Sequence, residues 1–371
     1  SAGMDVILLG PLPTPGVSFL ANSNNQIGLV ISASHNLFED NGIKFFNKDG
    51  QKFPVELERK IENKLTEEMM AVESKNLGKA SRMSDAQGRY IEFCKSSFTN
   101  LDLSGLSILL DCANGATYSV APKVFSELGA KVHSIGASPD GININQNCGS
   151  TSPDALKEEI AKGNFDIGIA FDGDGDRILI IAADGTVLDG DDILFILSKQ
   201  ISDNSGIVGT LMTNKSLELH FQENKIDFVR TDVGDKYVLQ KLTEKAWHLG
   251  GEPSGHVICL DAAQTGDAII AALKVLDAIK EESFSLSKAL EEFEKFPQTL
   301  INLKVDNPNK IIVSDRFWQK VTDTELQLGE EGRVLIRPSG TEPLIRIMVE
   351  SKEQKISDDL CNALADLAQT I

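Results

Sequence analysis

A buried strand that runs directly into an acidic loop constrains this chain more than any other feature. Residues 166–171 are almost wholly apolar, and the six residues after them read DGDGDR. Loops at strand ends are the usual binding positions of α/β sheets. Asp172, Asp174 and Asp176 would repel one another without a cation, and the glycines between them permit a tight turn. Because Mg²⁺ prefers hard oxygen ligands, we predict a magnesium site formed by these three aspartates.

A calcium-binding loop and a phosphatase active site are two other interpretations of this acidic loop. A calcium EF-hand requires glycine at its sixth position and glutamate at its twelfth, where this chain has Arg177 and Ala183. That interpretation therefore fails. A phosphatase with an aspartyl nucleophile would also place an aspartate after a buried strand, so Asp172 as a nucleophile stays open, as does a solvated acidic turn.

Strand and helix patterns alternate along the chain, which predicts parallel or mixed sheets with helices on their faces. Short apolar runs predict strands at 107–111, 131–135 and 178–182, and the spacing of apolar residues predicts a helix over Tyr118–Leu128. Similar patterns recur after residue 189 and again after 299. Residues 284–297 are expected to be a linker between the last two of these regions.

Length and composition limit the classes of protein to consider. A chain of 371 residues predicts two to four domains. The net charge of −19 argues against nonspecific nucleic-acid binding, and no apolar run approaches a membrane span. Five widely spaced cysteines without a C-x-x-C pair indicate reduced thiols and a cytoplasmic protein. The chain starts without a signal-peptide pattern and inside a strand pattern, so we expect further sequence ahead of it.

Three further loops carry polar side chains suited to sugar-phosphate chemistry. A serine in Ser32–Asn36 near a divalent cation suggests a phosphoserine, with Lys44 as a proton-transfer group if the acidic cluster lowers its pKa. Gly251–His256 could bind sugar hydroxyls. Residues 337–343 with Arg346 form a phosphate-binding pattern of two arginines, hydroxyls and loop N–H groups. Each loop taken alone is also compatible with an ordinary surface turn.

Taken together and in this order, the loops resemble the α-D-phosphohexomutase superfamily over essentially the whole chain, most closely its bacterial members that act on glucosamine phosphate. The resemblance is carried by Ile31–Phe46, Asp111–Ala116, Asp140–Thr151 (with Asn143, Asn145, Cys148 and Gly149), Ala170–Arg177, Val233–Val238 and Arg346–Glu350. It implies three related α/β domains with mixed sheets and a smaller C-terminal α+β domain around a central cleft. The expected domains are 1–100 for the phosphoserine, 101–188 for the metal, 189–297 for the sugar and 298–371 for the second phosphate.

The resemblance also implies roles for individual residues. Ser34 would carry the phosphate and join the three aspartates around one Mg²⁺, with His35, Lys44 and Arg177 as catalytic neighbours. The sugar would be bound by Glu252, Ser254 and His256, and the non-reacting phosphate by Arg337, Ser339, Gly340, Thr341 and Arg346. The implied reaction interconverts glucosamine 6-phosphate and glucosamine 1-phosphate, with glucosamine 1,6-bisphosphate as intermediate and activator. A homodimer is a further implication, as is an arginine-bearing loop ahead of residue 1 that helps to form the phosphoserine site.

The chain departs from the usual superfamily pattern at three positions: Leu37 and Pro253 replace the expected proline and glutamine, and Lys236 stands where arginine is common. Activity on mannose or glucose phosphate is therefore kept as an alternative. A non-catalytic sugar-phosphate-binding protein is a third possibility.

Overall fold

A computed structural model describes residues 2–68, 71–202, 205–280, 283–305, 307–338 and 343–371. The chain divides into two compact units. The first comprises Ser1–Met212 with Phe228–Leu290, and the second comprises Thr213–Asp227 with Glu291–Ile371.

The first unit opens with strands and helices that carry the serine loop. These elements are β1 (Val6–Leu8), α1 (Thr14–Asn24), β2 (Gly28–Ile31), β3 (Ile43–Phe46), α2 (Val55–Lys64), β4 (Ala80–Arg82) and α3 (Ala86–Ser96). Strands β1 and β4 pair in parallel, whereas β2 and β3 pair antiparallel. The β2–β3 pair places the serine loop between two hydrogen-bonded strands.

A five-stranded mixed sheet follows in the same unit, in the order β6-β5-β7-β8-β9. Its elements are β5 (Ser107–Asp111), α4 (Ala121–Glu127), β6 (Lys131–Ile135), α5 (Asp154–Ile160), β7 (Ile167–Phe171), β8 (Ile178–Ala182) and β9 (Val187–Leu188). Strand β7 is buried along its whole length, as its continuous apolar run predicts. Its antiparallel pairing with β8 makes the acidic loop the connection between two buried strands.

The third sheet of this unit has four strands in the order β11-β10-β12-β13. The elements after β9 are α6 (Gly190–Ser198), β10 (Gly206–Thr210), α7 (Lys215–Glu223), β11 (Asp227–Thr231), α8 (Asp235–Lys245), β12 (Leu249–Gly251), β13 (Val257–Cys259), α9 (Ala268–Ile279) and α10 (Leu286–Ala289). Helix α7 belongs to the second compact unit. The turn of the antiparallel β12–β13 hairpin is the predicted sugar loop.

The second unit contains an antiparallel sheet in the order β14-β16-β15. Its elements are β14 (Gln298–Lys304), α11 (Pro308–Ile312), α12 (Asp315–Leu328), β15 (Gly332–Pro338), β16 (Leu344–Ser351) and α13 (Gln354–Gln369). Apolar side chains of α12 and α13, including Phe317 and Leu364, pack with Ile347 of β16 into one buried core.

The predicted fold class, α/β domains followed by a C-terminal α+β domain, is confirmed. Two local predictions need correction. A helix lies within the expected range 118–128 but starts later, because a 3-10 turn over Ala116–Ser119 precedes α4 and Pro122 occupies the first turn of that helix. The expected linker 284–297 contains α10, because the Ser285 hydroxyl accepts a hydrogen bond from the Lys288 N–H and caps a short helix. Nowhere in the described ranges is a helix both long and apolar enough to cross a membrane.

Candidate active site

The acidic loop gathers its three carboxylates at one point. One oxygen from each of Asp172, Asp174 and Asp176 lies within 4.8 Å of the others, and all three residues are buried. Asp172 Oδ1 accepts hydrogen bonds from the backbone N–H groups of Gly175, Asp176 and Arg177 at 3.0–3.1 Å. The turn itself therefore fixes the orientation of the first carboxylate.

These carboxylates fit a divalent cation. Oδ1 of Asp174 and Oδ1 of Asp176 are buried and find no hydrogen-bond partner among the described residues. Burial and the negative charges of Asp176 and Asp174 raise the pKa of Asp172 well above its ordinary value. Buried carboxylate oxygens that repel one another, two of them without a hydrogen-bond donor among the described residues, are hard ligands of the kind that Mg²⁺ prefers.

Ser34 reaches this site from the β2–β3 loop. Its Oγ donates a hydrogen bond of 2.7 Å to Asp172 Oδ2, so residues 138 positions apart in sequence are in direct contact. His35 Nδ1 lies 3.4 Å from the same Oγ atom. Burial and the positive charge of Arg177 lower the pKa of His35, which favours the neutral imidazole. The Arg177 Nε atom is buried and has no hydrogen-bond partner within the described part of the chain.

Lys44 binds two of the three carboxylates of the acidic cluster. Its Nζ atom donates to Asp174 Oδ2 at 2.6 Å and to Asp176 Oδ2 at 3.0 Å. Burial alone would lower the pKa of Lys44, but the two carboxylates outweigh it and the net shift is upward. The expectation that the cluster lowers this pKa was wrong, because neighbouring negative charge stabilises an ammonium ion.

The predicted sugar loop places His256 against the acidic cluster. His256 is buried, with Nδ1 3.6 Å from Asp176 Oδ1. Burial would raise the pKa of Asp176, but its interactions with His256 and the charge of Lys44 outweigh burial, so this pKa falls well below its ordinary value. Glu252 is buried and accepts a hydrogen bond from the Gly234 N–H at 2.9 Å, whereas Ser254 is exposed.

Sequence reasoning missed a charged pair behind this histidine. Asp235 Oδ2 lies 3.6 Å from His256 Nε2 and forms an ion pair with Lys52. Burial would raise the pKa of Asp235, but His256 and Lys52 lower it to about 2. Asp235 lies in a stretch that carried the family resemblance, which was a usable signal. Lys52 has no local motif that could have identified it.

Two of the predicted phosphate ligands lie side by side in the second unit. Arg337 on β15 and Arg346 on β16 are directly opposite each other in the antiparallel register. Like charges at opposite positions destabilise a sheet, and an anion between them would remove that cost. The predicted ligands Ser339, Gly340 and Thr341 lie outside the described residues.

Sequence comparison identifies the family. Profiles of all four domains of the phosphoglucomutase/phosphomannomutase family match the chain: α/β/α domain I at residues 1–71, domain II at 88–185, domain III at 189–296 and the C-terminal domain at 300–367. The phosphoglucosamine mutase of Aeromonas salmonicida is 50% identical over 376 residues, covering 100% of this chain and 85% of the relative. The chain belongs to the phosphoglucosamine mutase family.

Another relative supports this assignment, and two solved structures share the fold. The phosphoglucosamine mutase of Legionella pneumophila (strain Lens) is 50% identical, with 99% of this chain and 82% of the relative covered. A phosphoglucomutase/phosphomannomutase family protein from Burkholderia thailandensis has the same fold, with a TM-score of 0.81 and 22% identity over 98% of this chain and 83% of that chain. The N-acetylphosphoglucosamine mutase of Aspergillus fumigatus, solved with GlcNAc-6P and magnesium, gives a TM-score of 0.74 and 18% identity, covering 95% and 91% of the two chains.

Proposed function

We propose that this protein is a magnesium-dependent mutase that interconverts glucosamine 6-phosphate and glucosamine 1-phosphate through a phosphorylated Ser34. The observation that carries the proposal is the 2.7 Å hydrogen bond from Ser34 Oγ to Asp172, one of three clustered carboxylates. A hydroxyl that touches a divalent-cation site is placed for phosphoryl transfer. The sugar specificity is taken from relatives that are about half identical over the whole chain.

The proposed reaction proceeds in two transfers. In the first, the bond between phosphorus and Ser34 Oγ breaks, a bond to O1 of glucosamine 6-phosphate forms, and the proton of the O1 hydroxyl passes to Ser34 Oγ, giving the 1,6-bisphosphate and a free serine hydroxyl. After the bisphosphate reorients, its 6-phosphoryl group returns to Ser34 Oγ, the serine proton passes to O6, and glucosamine 1-phosphate leaves. Mg²⁺ held by the three aspartates and Ser34 would neutralise charge on the transferring group. The bisphosphate added from outside would phosphorylate an unmodified Ser34 and so act as an activator.

The remaining residues have roles that follow from their contacts. Asp174 and Asp176 keep Lys44 protonated, and we assign it as the residue that passes a proton between the sugar hydroxyl and Ser34 Oγ. We assign His35, whose Nδ1 lies 3.4 Å from Ser34 Oγ, and Arg177 as catalytic neighbours of the transferring group. We assign the sugar to Glu252, Ser254 and His256, and the non-reacting phosphate to Arg337, Ser339, Gly340, Thr341 and Arg346.

We further propose domain boundaries at 100/101, 188/189 and 297/298. All five cysteines are buried and unpaired thiols, which supports a cytoplasmic location. The homodimer stays a prediction.

An aspartyl-nucleophile phosphatase is disfavoured by the surroundings of Asp172. This residue is fully buried, and its carboxylate already accepts three backbone N–H groups and the Ser34 hydroxyl. Oδ1 accepts the three backbone N–H groups, and Oδ2 faces the Ser34 hydroxyl, so the group that stands before this carboxylate is the serine and not a substrate phosphorus.

The test combines intact mass with isomerisation by the full-length protein. Incubation with the bisphosphate and Mg²⁺ should add one phosphate to the wild type and to Ser138→Ala, an exposed serine control, but none to Ser34→Ala. The wild type should then isomerise glucosamine phosphate faster than glucose or mannose phosphate. Equal or faster turnover of mannose phosphate would reject the amino-sugar assignment. Full activity of Ser34→Ala, together with loss of activity in Asp172→Asn, would reject the mutase mechanism in favour of the phosphatase.

A further inference from the structure

Ser34 has an unusual backbone conformation. Its φ angle is +56°, in the left-handed region that residues with a side chain rarely adopt. Such a conformation persists only when surrounding contacts enforce it. Within the loop, the Ser34 N–H donates to Ser32 Oγ at 2.9 Å, which supports one side of the peptide. The carbonyl side is held from elsewhere in the first unit.

The contact on the carbonyl side comes from Asn145. Its Nδ2 atom donates to the Ser34 carbonyl at 2.9 Å and to the Asn36 carbonyl at 2.7 Å, across more than one hundred residues of sequence. An amide nitrogen has two hydrogens, so both are committed to this loop. Asn145 is only 6% exposed, and its Oδ1 atom finds no hydrogen-bond partner among the described residues. The side chain therefore contributes to this contact as a donor only.

Asn145 is itself firmly placed. Its N–H donates to the Ala113 carbonyl at 2.8 Å. The buried carboxylate of Asp111 accepts the N–H groups of Ala113 at 2.9 Å and Gly149 at 2.7 Å. It therefore connects the segment that contacts Asn145 with the segment that follows Asn145. A Cβ atom added to Gly173 would lie 2.6 Å from the Ser34 carbonyl oxygen and 2.7 Å from Asn145 Nδ2. The serine loop, the acidic loop and Asn145 thus meet at a point where only glycine fits.

We infer that Asn145 is a positioning residue for phosphoryl transfer: it holds the Ser34 loop in the left-handed conformation that directs Oγ at the acidic cluster. This inference rests on the proposed function. Asn145 acts through the Ser34 backbone and has no role in binding the sugar, so its loss should lower kcat and leave KM nearly unchanged. A displacement of about 1 Å at a reacting atom can cost roughly 100-fold in rate.

Asn145→Gly tests the inference, because glycine keeps the left-handed backbone of residue 145 (φ +57°) while removing the amide. Asn147→Gly is the matched control, since Asn147 lies in the same loop with φ +53° and an exposed side chain. We expect kcat and the rate of Ser34 phosphorylation to fall roughly 10- to 100-fold in Asn145→Gly, with KM within about twofold of the wild type. Asn147→Gly should match the wild type.

Two further measurements keep the test decisive. Amide hydrogen exchange in the peptide that covers residues 32–38 should be faster in Asn145→Gly than in Asn147→Gly, whatever the activity. If Asn145→Gly does not fold, Asn145→Ser decides, since it retains one donor and should lose part of kcat.

The possible results distinguish a failure of the proposed function from a failure of the inference about Asn145. A wild type that neither isomerises nor gains phosphate overturns the proposed function. An active wild type, with Asn145→Gly equal to Asn147→Gly in kcat and exchange, overturns the inference alone. A change confined to KM also overturns the inference.

Discussion

The buried carboxyl group of Asp267 gives a stability prediction whose sign and size can both be worked out. Asp267 caps α9, where its Oδ1 atom accepts the N–H groups of Ile269 and Ile270 at 3.0 Å each. Its Oδ2 atom accepts the Tyr90 hydroxyl at 2.8 Å. Burial raises the pKa of Asp267 from 3.8 to about 6 despite these donors. The proton is therefore held more tightly in the folded protein than in the unfolded chain.

The pH dependence follows from that difference. Below pH 3.8 the group is protonated in both states, and its contribution to stability is fully present. As the pH rises towards 6, the unfolded chain ionises first, so the free energy of unfolding falls; above 6 the contribution is constant. A shift of roughly two pKa units corresponds to roughly 3 kcal/mol. The Asp267→Asn variant keeps a capping oxygen but has no carboxyl group to titrate, so it should not show this loss.

The assay is urea unfolding of wild type and variant at about pH 4.5, 5.5, 6.5 and 7.5. The stability of Asp267→Asn relative to the wild type should rise by roughly 2 kcal/mol between about pH 4.5 and 6.5, and then level off. Other titrating groups contribute equally to the stability of both proteins, so their contributions cancel when the two free energies of unfolding are subtracted. The Tyr90→Phe variant lacks one donor to the carboxylate, so its pH-dependent loss of stability should extend to higher pH than that of the wild type. A difference that is independent of pH, or that shrinks as pH rises, would refute the reasoning.

Three shorter predictions concern the active site and its supports. Lys44→Met should raise the apparent affinity for Mg²⁺ by roughly 5- to 30-fold in thermal-shift titrations, because the ammonium ion competes for the same carboxylates; weaker binding would contradict this. Lys52→Met and Asp235→Asn should show a coupling energy of about 1 kcal/mol in a double-mutant cycle of unfolding, and strict additivity would contradict the ion pair. Arg346→Gln should stabilise the protein without ligand by about 0.5 kcal/mol, since it removes the repulsion from Arg337, and should weaken stabilisation by inorganic phosphate. Unchanged phosphate stabilisation would exclude Arg346 from the anion site.

The parts of the site that could be predicted from sequence are those whose chemistry is local. The three aspartates lie within five consecutive residues and follow a strand whose apolar run predicts its burial. The sequence therefore predicts both the candidate metal ligands and their position at the end of a buried strand. The β15 and β16 strands likewise follow from their apolar pattern, and they bring Arg337 and Arg346 into register. No long-range contact has to be known for either inference.

The parts that could not be predicted depend on contacts between distant segments. Lys52 and Asp235 are 183 residues apart; Lys52 forms no motif with its neighbours, and the stretch around Asp235 gives no sign of its partner. The wrong sign for the pKa of Lys44 has a different cause. Its proximity to the acidic cluster was predicted, but the carboxylates of Asp174 and Asp176 stabilise its ammonium ion and so raise the pKa.

The conformation of Ser34 shows why a reactive residue is the hardest to predict locally. The intrinsic backbone preference of serine disfavours a φ angle of +56° by about 1 kcal/mol or more, and within its own loop only the hydrogen bond to Ser32 Oγ supports it. Two hydrogen bonds from Asn145, each contributing about 1 kcal/mol, are enough to offset that cost. The energy that directs the serine oxygen at the acidic loop is therefore supplied by a different segment of the chain. A pattern that covers only the serine loop can identify the nucleophile, but the direction in which its Oγ points is decided by Asn145.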